Sequence, residues 1–408
     1  MYTYPVLYFT LSKTDFIPEQ VPYLIEYERE MGNVKLDTDI EGIQVDFNGG
    51  VRVNVPKGNF HVKISDVVSK VVAFDGDVSE QTLVSAEKYL IFWQVEIYKD
   101  DELVFAHEMD LSGQKIFIFL AGEALGDTIA ILPYLRTIRD YYDCEVYFKV
   151  SETYRQICET YFSDIKLVDK IPDDSYAGYC LALFQKTPYI IADNSRLLTT
   201  DLAIRQAFNL PYNTKKQIYY PTEQRKISEK YVCIAVQASG IMKRWLYPNG
   251  WNIVVEYLKN KGYRVLCIDG ESEYTEDEYH VTIPIGAEDF TGMLPLMERI
   301  NVLAYADFFI GTPSGLSWLA YACDIPVVLI SGFSLPIAEF DTPYRVMNKS
   351  VCHGCYNDMN VDWKEKCPYY KGTEREYECT KNIHPNMVIK TIDRLLKDIT
   401  TKRCLPLL

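Results

Sequence analysis

Residues 115–150 read KIFIFLAGEALGDTIAILPYLRTIRDYYDCEVYFKV, and this stretch decides the fold class. The run at its start is apolar enough for a buried strand, residues 125–142 have the periodicity of a helix, and residues 144–150 predict another strand. A helix over 153–162 and a strand over 164–169 continue the alternation. Strands that alternate with helices at this spacing are typical of a parallel, doubly wound α/β sheet.

The same alternation begins again after the polar stretch 212–230. Residues 1–112 are different, because short alternating runs are separated there by Asn-Gly-Gly and Pro-Lys-Gly, which is typical of β-hairpins. We therefore predict an α/β protein with two Rossmann-like domains. The predicted domains are a small antiparallel β-rich domain (1–112), a first Rossmann-like domain (113–225), and a second one (226–400) that contains residues 351–384 as an insertion before a closing helix.

The charge of the chain excludes one broad class of function. It has 57 acidic and 42 basic residues, for a formal net charge of −15. General nucleic-acid binding needs a basic surface, so this charge argues against it. A local basic pocket for a phosphorylated small molecule is compatible with the charge.

No segment has the composition of a signal peptide or the length of a membrane span. Six of the cysteines lie mostly in apolar runs, which is typical of reduced core thiols and predicts a cytoplasmic setting.

Two facing Rossmann-like domains place the loops at the carboxyl ends of their strands across one cleft, where ligands of open α/β sheets bind. This arrangement is typical of nucleotide-sugar glycosyltransferases. Sugar-nucleotide epimerases and periplasmic binding proteins share it, so the architecture alone leaves the function open. The residues in the loops have to decide between these classes.

The first of these loops, AGEALGDTIAILPY (121–134), leads from a strand to a helix and carries Gly122, Gly126 and Asp127. An Asp at the start of a helix commonly caps it, through backbone hydrogen bonds and the helix dipole. The alternative is a carboxylate on the floor of the cleft that accepts a proton from an acceptor hydroxyl. The turn lacks the G-x-G-x-x-G pattern of dinucleotide-binding folds, which argues against NAD.

The second loop, VQASGIMKRW (236–245), follows the first strand of the second domain and carries Gln237 and Lys243. A lysine in a loop is usually solvated, but an ammonium group at this position can stabilise the charge of a departing diphosphate. Asp269 ends the next strand. It either bonds a ribose hydroxyl or stabilises the turn before Gly270.

The third loop lies in GTPSGLSWLAYA (311–322), where a strand leads into a helix. The backbone N–H groups of Ser314, Gly315 and Leu316, together with the helix dipole, form a cradle for an anion. Ordinary capping of the helix by the serine is the alternative. With Lys243, two independent phosphate-binding features are expected on one edge of the cleft.

Four cysteines lie close together near the end of the chain: Cys352, Cys355, Cys367 and Cys379. Two residues separate the first pair, which is typical of a metal knuckle, and the two later thiols can complete a tetrahedral site. Thiolates select zinc or iron. Because all four positions are then filled by protein, such a metal is structural. A disulfide or a plain core role is the alternative.

Taken together, these residues resemble the bacterial autotransporter heptosyltransferases. The resemblance covers roughly residues 43–384 and is carried by VDFNGGVRVNVPKGNFHVK (45–63), GDTIAILPY (126–134), GAEDFTGMLPLMERINVL (286–303) and the long block 311–346. It implies a glycosyltransferase of the two-Rossmann, GT-B type with an added N-terminal β domain. The implied reaction transfers heptose from ADP-glycero-manno-heptose to serines of a β-helical autotransporter passenger.

The resemblance also implies roles for individual residues. It places the catalytic aspartate at Asp127 and the diphosphate lysine at Lys243. The donor-contacting residues implied by it are Ala124, Leu125, Gly126, Ser314, Gly315 and Leu316. In that family the four cysteines bind one structural ferric ion per chain and the assembly is a dodecamer; the spacing alone also allows Zn²⁺. The family has Thr where this chain has Ala124, so a hydroxyl contact is missing there.

A GT-B glycosyltransferase that uses a different nucleotide sugar is one alternative, and two others lie outside the glycosyltransferases. A sugar-nucleotide epimerase on the same fold needs a second acid/base pair across the cleft, and the sequence offers no obvious candidate. A non-enzymatic adaptor that uses the cysteine segment to bind proteins does not require the phosphate-binding loops. No D-x-D carboxylate pair of the kind that carries Mg²⁺ stands out, so we expect a transfer that needs no Mg²⁺.

Overall fold

The computed structural model describes residues 2–11, 19, 21–120, 122, 124–181, 196–211, 216–276, 278–362 and 366–404. The helices are α1 (Val21–Met31), α2 (Leu125–Tyr142), α3 (Glu152–Tyr161), α4 (Thr200–Ala207), α5 (Gly250–Asn260), α6 (Leu296–Leu303), α7 (Gly315–Ala322), α8 (Glu378–Lys381) and α9 (Pro385–Cys404). Short 3₁₀ turns cover Ile241–Lys243, Pro336–Ala338 and Cys355–Asn357.

The strands in the first half of the chain are β1 (Val6–Phe9), β2 (Gln44–Asn48), β3 (Arg52–Val55), β4 (Phe60–Asp66), β5 (Val72–Val78), β6 (Gln81–Ser85), β7 (Trp93–Lys99), β8 (Glu102–Glu108), β9 (Lys115–Leu120), β10 (Glu145–Lys149), β11 (Lys166–Val168) and β12 (Ala177–Leu181). Those in the second half are β13 (Tyr231–Ala235), β14 (Arg264–Cys267), β15 (Glu273–Glu276), β16 (Tyr279–Thr282), β17 (Glu288–Asp289), β18 (Phe309–Gly311), β19 (Val327–Ile330) and β20 (Arg345–Val346).

The chain divides into two compact units. The first consists of residues 1–123, 131–195 and 201–215, and the second of residues 124–130, 196–200 and 216–408. The second unit therefore contains the beginning of α2, although most of that helix is counted with the first. The predicted division into three domains stays a prediction.

The first unit contains a sheet whose described strands run in the order β1-β6-β3-β2-β12-β9-β10-β11. Its β9 to β12 part is parallel and alternates with helices, as the stretch 115–150 predicts. Two pairings in this sheet are not those of hairpins, because β2 pairs with β12 and β1 pairs in parallel with β6. Strands from both sides of the predicted boundary at residue 112 therefore share one sheet. Only β5-β4-β7-β8 form the meander that the hairpin signals predict.

Buried ion pairs hold the N-terminal strands and α1 in place within the first unit. Arg52 donates to both carboxylate oxygens of Asp46, at 2.7 and 2.6 Å, and both side chains are fully buried. Lys88 lies 2.9 Å from Glu28, again out of contact with water. Removing one partner of such a pair leaves the other charge buried and unpaired, which strongly destabilises the fold. These charges therefore belong to the scaffold.

The second unit contains a sheet whose described strands run in the order β17-β14-β13-β18-β19-β20, all of them parallel. Its strands are buried, and residues such as Ile234 and Val328 form a core with α5 and α9. Parallel strands have their carboxyl ends at one edge of the sheet. The loops after β13, β18 and β19 therefore leave from the same edge, where ligands of open α/β sheets bind.

No helix among the described residues is both long enough and apolar enough to cross a membrane.

Candidate functional site

Two helix N-termini meet in the second unit, those of α2 and α7. A Cβ atom added to Gly126 would lie 2.9 Å from Cδ1 of Trp318, and one added to Gly315 would lie 2.6 Å from Cβ of Leu125. Such distances are shorter than real Cβ contacts, so glycine is required at both positions. The missing side chains allow the two helix starts to approach closely, and both N-terminal dipoles then act on one small volume.

The first turn of each of these helices leaves backbone N–H groups without helical partners. In α2 the first helical bond runs from the N–H of Thr128 to the carbonyl of Ala124, 3.0 Å away. In α7 the N–H of Ser317 bonds the carbonyl of Ser314 at 3.1 Å. The N–H groups that precede these bonds belong to residues 125–127 and 315–316. The sequence predicts the N–H groups of Ser314, Gly315 and Leu316 as an anion cradle, and two of these three are among the unpaired groups; the anion itself stays a prediction.

Asp127 lies in the first turn of α2, where the sequence places it. Burial raises the pKa of its carboxyl group to about 6, and the nearby charge of Lys243 acts in the opposite direction. Within the described part of the chain, this carboxylate accepts no hydrogen bond, which argues against the capping role. A carboxylate with a pKa near 6 and free oxygens is suited to accept a proton at neutral pH.

Lys243 ends the 3₁₀ turn Ile241–Lys243. Burial lowers the pKa of its ammonium group, while the carboxylates of Asp127 and Glu339 raise it. Its Nζ lies 3.4 Å from the hydroxyl of Ser239, which precedes this turn. The neighbouring Arg244 is buried and bonds Glu276 at 2.6 Å, so its charge is already paired within the protein.

Ser314 precedes α7 with extended backbone angles but makes no capping hydrogen bond through its side chain. Its hydroxyl is shielded from water and has no partner among the described residues, and the same holds for the hydroxyl of Thr312. Buried polar groups are nearly always hydrogen-bonded, so an unsatisfied pair at a helix start indicates a position meant for a ligand. This favours the anion cradle over simple capping.

Gln237 and Asp269 lie together at the ends of β13 and β14. Asp269 is 1 % exposed, and its carboxylate accepts hydrogen bonds from the N–H groups of Val236, at 2.8 Å, and Gln237, at 3.2 Å. Burial raises the pKa of Asp269, and these bonds oppose that rise. These contacts tie Asp269 to the end of β13 and do not involve the turn before Gly270, so the turn role and the ribose contact both stay predictions. The side-chain amide of Gln237 bonds the carbonyl of Glu271 at 2.8 Å.

Sequence reasoning missed two residues of this site, Glu339 and Tyr356. The charge of Glu339 acts on Lys243, and the charges of Asp127 and Glu339, after burial, raise the pKa of Tyr356. Glu339 lies in the segment after β19, within the block 311–346 that carries the resemblance, but no catalytic or binding pattern in this segment singles it out. Tyr356 follows Cys355 directly, and its place beside Cys355 is the signal that could have found it.

The four cysteines are free thiols. Burial raises the pKa of Cys355 to about 12, and the charges of Cys352 and Cys367 add to that rise. Cys379 is affected in the same way by the other three. The thiols are therefore neighbours, as their spacing predicts. Among the residues that the structure describes, however, no group of three or more His, Cys, Asp or Glu side chains is arranged to hold a metal ion.

The cysteine segment packs directly on the turn that carries Lys243. Buried side chains from both form one apolar cluster, which we call the lysine-turn cluster and which consists of Ile241, Met242, Phe333, Cys355, Tyr356 and Tyr377. Ala338 and Cys367 pack against it. A Cβ added to Gly332 would lie 2.1 Å from the carbonyl oxygen of Cys379, so β19 and the cysteine segment are also in close contact.

Arg196 fixes the position of Tyr356. Its Nε donates to the carbonyl of Tyr356 at 2.6 Å, and its Nη2 donates to the carbonyls of Asp358, at 2.5 Å, and Val361, at 3.2 Å. The guanidinium carbon lies 5.9 Å from the centre of the tyrosine ring. On the other side, the ring of Phe333 lies 5.4 Å away. Several contacts thus hold one aromatic side chain beside the carboxylates.

Two family models match the chain. Residues 40–101 match the N-terminal domain of glycosyltransferase TibC, and residues 182–368 match glycosyltransferase family 9 (heptosyltransferase). The autotransporter heptosyltransferase Aah of Escherichia coli is 37% identical over 384 residues, which cover 91% of this chain and 97% of Aah. The inactive autotransporter heptosyltransferase BimC of Burkholderia thailandensis is 30% identical, with 86% of this chain and 85% of BimC covered.

Among solved structures, the iron-containing dodecameric glycosyltransferase TibC from enterotoxigenic E. coli H10407 superposes with a TM-score of 0.85 at 33% identity, covering 90% of this chain and 98% of TibC. TibC has also been solved in complex with ADP-D-β-D-heptose. The identities to Aah and TibC extend over nearly the whole of both chains. The chain therefore belongs to the autotransporter heptosyltransferases and is a glycosyltransferase of the family 9 type.

Proposed function

We propose that this protein transfers a heptose from ADP-glycero-manno-heptose to serine hydroxyls of a β-helical autotransporter passenger. The observation that carries the proposal is the Asp127 carboxylate, which has a pKa of about 6 and free oxygens next to Lys243 and two helix N-termini. A base, a cation and an anion cradle are the groups that a transfer from a nucleotide sugar needs. The complex of TibC with ADP-D-β-D-heptose supports this choice of donor.

In the proposed reaction, the serine oxygen attacks the anomeric carbon of the heptose while Asp127 takes the serine proton. The bond between that carbon and the diphosphate oxygen breaks, and its electron pair leaves with ADP. Lys243 and the N–H groups of residues 315–316 stabilise the charge that develops on the diphosphate, with the Ser314 hydroxyl as a further donor. Asp127 then releases its proton to water. The step is balanced without Mg²⁺.

The proposal assigns a role to each part of the chain. Residues 226–400 are proposed as the nucleotide-sugar side of a GT-B enzyme, and residues 113–225 as the acceptor side. In addition to the residues above, the proposed donor contacts are Ala124, Leu125, Gly126, Gln237 and Asp269. Within the described ranges ten cysteines are free, six of them outside the segment 351–384, which supports a cytoplasmic setting.

For the metal, the chemistry of the donor set fits Fe³⁺, because four thiols lie near one another: after burial, the charge of Cys367 raises the pKa of the other three thiols, and that of Cys352 raises the pKa of Cys355 and Cys379. We propose one structural Fe³⁺ per chain, held by Cys352, Cys355, Cys367 and Cys379, with Zn²⁺ as the alternative. The metal would tie the ends of the cysteine segment together, whereas catalysis rests on other residues. A homo-oligomer, a dodecamer as in TibC, is part of the same proposal.

Co-expression with a candidate passenger tests the proposed transfer. Intact-mass measurement of the passenger should find additions of whole heptosyl residues, and peptide fragmentation should place them on serines. The Asp127→Asn variant is the matched control and should leave the passenger unmodified. An epimerase would change the donor without any mass shift of the passenger, and an adaptor would change neither. Because BimC is a relative named as inactive, this measurement decides activity for the chain itself.

A further inference from the structure

Glu339 carries a negative charge that the proposed reaction does not use. Its Oε2 accepts from Arg345 and its Oε1 accepts from the hydroxyl of Ser334, in both cases at close range. The side chains of Glu339 and Arg345 are 8% and 10% exposed. Both oxygens of this carboxylate are thus engaged by donors. It is therefore poorly placed to take a proton from an acceptor hydroxyl, unlike Asp127.

The contacts of its neighbours place Glu339 beside Asp127 and Lys243. Ala338, the residue before it, packs against the lysine-turn cluster. Phe340, the residue after it, contacts Trp318 with ring centres 5.1 Å apart, and Trp318 is the side chain that closes over Gly126. One neighbour of Glu339 thus packs on the cluster that contains Ile241 and Met242 of the lysine turn, and the other contacts the side chain that lies over the start of α2.

The charged and titratable groups that face Lys243 come from each element around it. Asp127 of α2 and Glu339, which follows the turn Pro336–Ala338, act on Lys243, while Tyr356 of the turn Cys355–Asn357 lies near those two carboxylates. Arg345 lies behind Glu339 and pairs with it, and Arg244 pairs with Glu276. Two carboxylates therefore support one partly buried ammonium group.

During the proposed transfer, one of these two carboxylates loses its charge. Asp127 becomes neutral when it takes the serine proton, which is the moment at which negative charge develops on the departing diphosphate. Lys243 has to remain protonated at that moment, although burial disfavours its charge. A second carboxylate that does not take the proton keeps the ammonium group charged and in place through the step.

We propose that Glu339 is a positioning residue of this site, which acts through Lys243: held by Arg345 and Ser334, it keeps the ammonium group charged and directed at the diphosphate while Asp127 carries the acceptor proton. The inference rests on the proposed function, because it needs a nucleoside diphosphate beside Lys243. It assigns no contact between Glu339 and the acceptor.

Binding of ADP alone, measured by calorimetry from about pH 6 to about pH 10, tests this role without sugar or acceptor. In the wild type, ADP affinity should fall as Lys243 loses its proton at the alkaline end. In Glu339→Gln, which keeps the shape but loses the charge, the fall should begin at a pH lower by about one unit, because an opposite charge has been removed. Glu339→Asp keeps the charge and should restore most of the wild-type dependence.

A double variant isolates the lysine. In Glu339→Gln with Lys243→Arg the alkaline fall should vanish, because a guanidinium keeps its proton throughout this range. The matched control is Glu288→Gln, which neutralises a carboxylate paired with Arg264 at 2.7 Å in the same unit and should leave the pH dependence unchanged. Thermal melting of each variant accompanies the titrations.

The outcomes separate this inference from the proposed function. If the wild type binds no ADP, the proposed donor and this inference both fail. If it binds ADP but Glu339→Gln keeps the wild-type pH dependence, weakens binding equally at every pH, or does not fold, Glu339 is only a structural ion pair. In that case the inference is overturned while the proposed function stands.

Discussion

Asp127 differs from an ordinary helix-capping aspartate in two respects. Its pKa is raised to about 6 by burial, and within the described structure its oxygens accept no hydrogen bond. A capping carboxylate is bonded to N–H groups, and such bonds lower its pKa. The sequence gives the spacing of this residue and its place in the first turn. It does not give the burial, because that comes from the approach of α7.

Asp127→Asn should retain the fold and ADP binding but lose transfer, because only the proton acceptor is removed. Loss of a general base typically costs about 10²–10⁴-fold in rate. Initial rates of heptose transfer, with ADP affinity measured in parallel, are the readout. Retention of more than half of the wild-type rate would mean that another group takes the proton.

The raised pKa of Asp127 predicts the acid side of the pH profile. The group works as a base only when it is ionised, so the transfer rate should fall as the pH drops through about 6. An unperturbed aspartate would remain ionised down to about pH 4. The rate of transfer at saturating donor and acceptor, measured against pH with a melting control at each point, checks this. An acid limb near pH 4 would contradict the burial of Asp127.

At the scale of elements, the local sequence pattern predicts the helices and strands correctly wherever neighbours in sequence are also neighbours in the sheet. Helix α2 has the bounds that its periodicity predicts, and β9 and β10 lie within one residue of theirs. The N-terminal strands are different, since the parallel pairing of Val6–Phe9 with β6 joins residues far apart in sequence. No hairpin signal reports such pairing. For the same reason sequence reasoning does not find Glu339, because it acts on Lys243, which is far away in sequence.

The close approach of α2 and α7 gives a prediction at this scale. Gly315→Ala should weaken ADP binding, since the new Cβ would lie 2.6 Å from Cβ of Leu125 and has to push the two helix starts apart. Alanine favours a helix over glycine by about 1 kcal/mol, but overpacking costs about 1–3 kcal/mol and is expected to prevail. Calorimetry with ADP and a melting curve are the measurements.

Gly122→Ala is the matched control for this experiment. It adds the same methyl group in the loop before α2, where nothing among the described residues lies within 4 Å of its Cβ position. Its ADP affinity should therefore equal that of the wild type. If Gly315→Ala binds ADP as tightly as Gly122→Ala and the wild type do, the two helix N-termini do not act together on the diphosphate.

At the scale of the whole molecule, the cysteine segment links stability to the site. Its residues Cys355, Tyr356 and Tyr377 share the lysine-turn cluster with Ile241 and Met242, so loss of the segment's order should disturb Lys243 as well. The spacing of the cysteines predicts that they come together. It cannot predict what they pack against, because that depends on the chain between β19 and β20. Metal binding by such a segment is coupled to its folding.

Purified protein should therefore contain about one metal per chain, on the logic of a closed four-ligand site, and should be reddish if the metal is ferric iron. A ferric tetrathiolate absorbs visible light by sulfur-to-metal charge transfer, which zinc cannot do. Cys352→Ser should bleach the protein, lower its melting temperature and weaken ADP binding through the lysine-turn cluster.

Cys158→Ala, which alters a buried free thiol in α3, should keep metal and colour. Elemental analysis, visible spectra and light scattering are the measurements. Colourless protein with stoichiometric zinc would exclude iron but keep the structural role, whereas metal-free protein with full transfer in serine variants of all four cysteines would exclude the metal site.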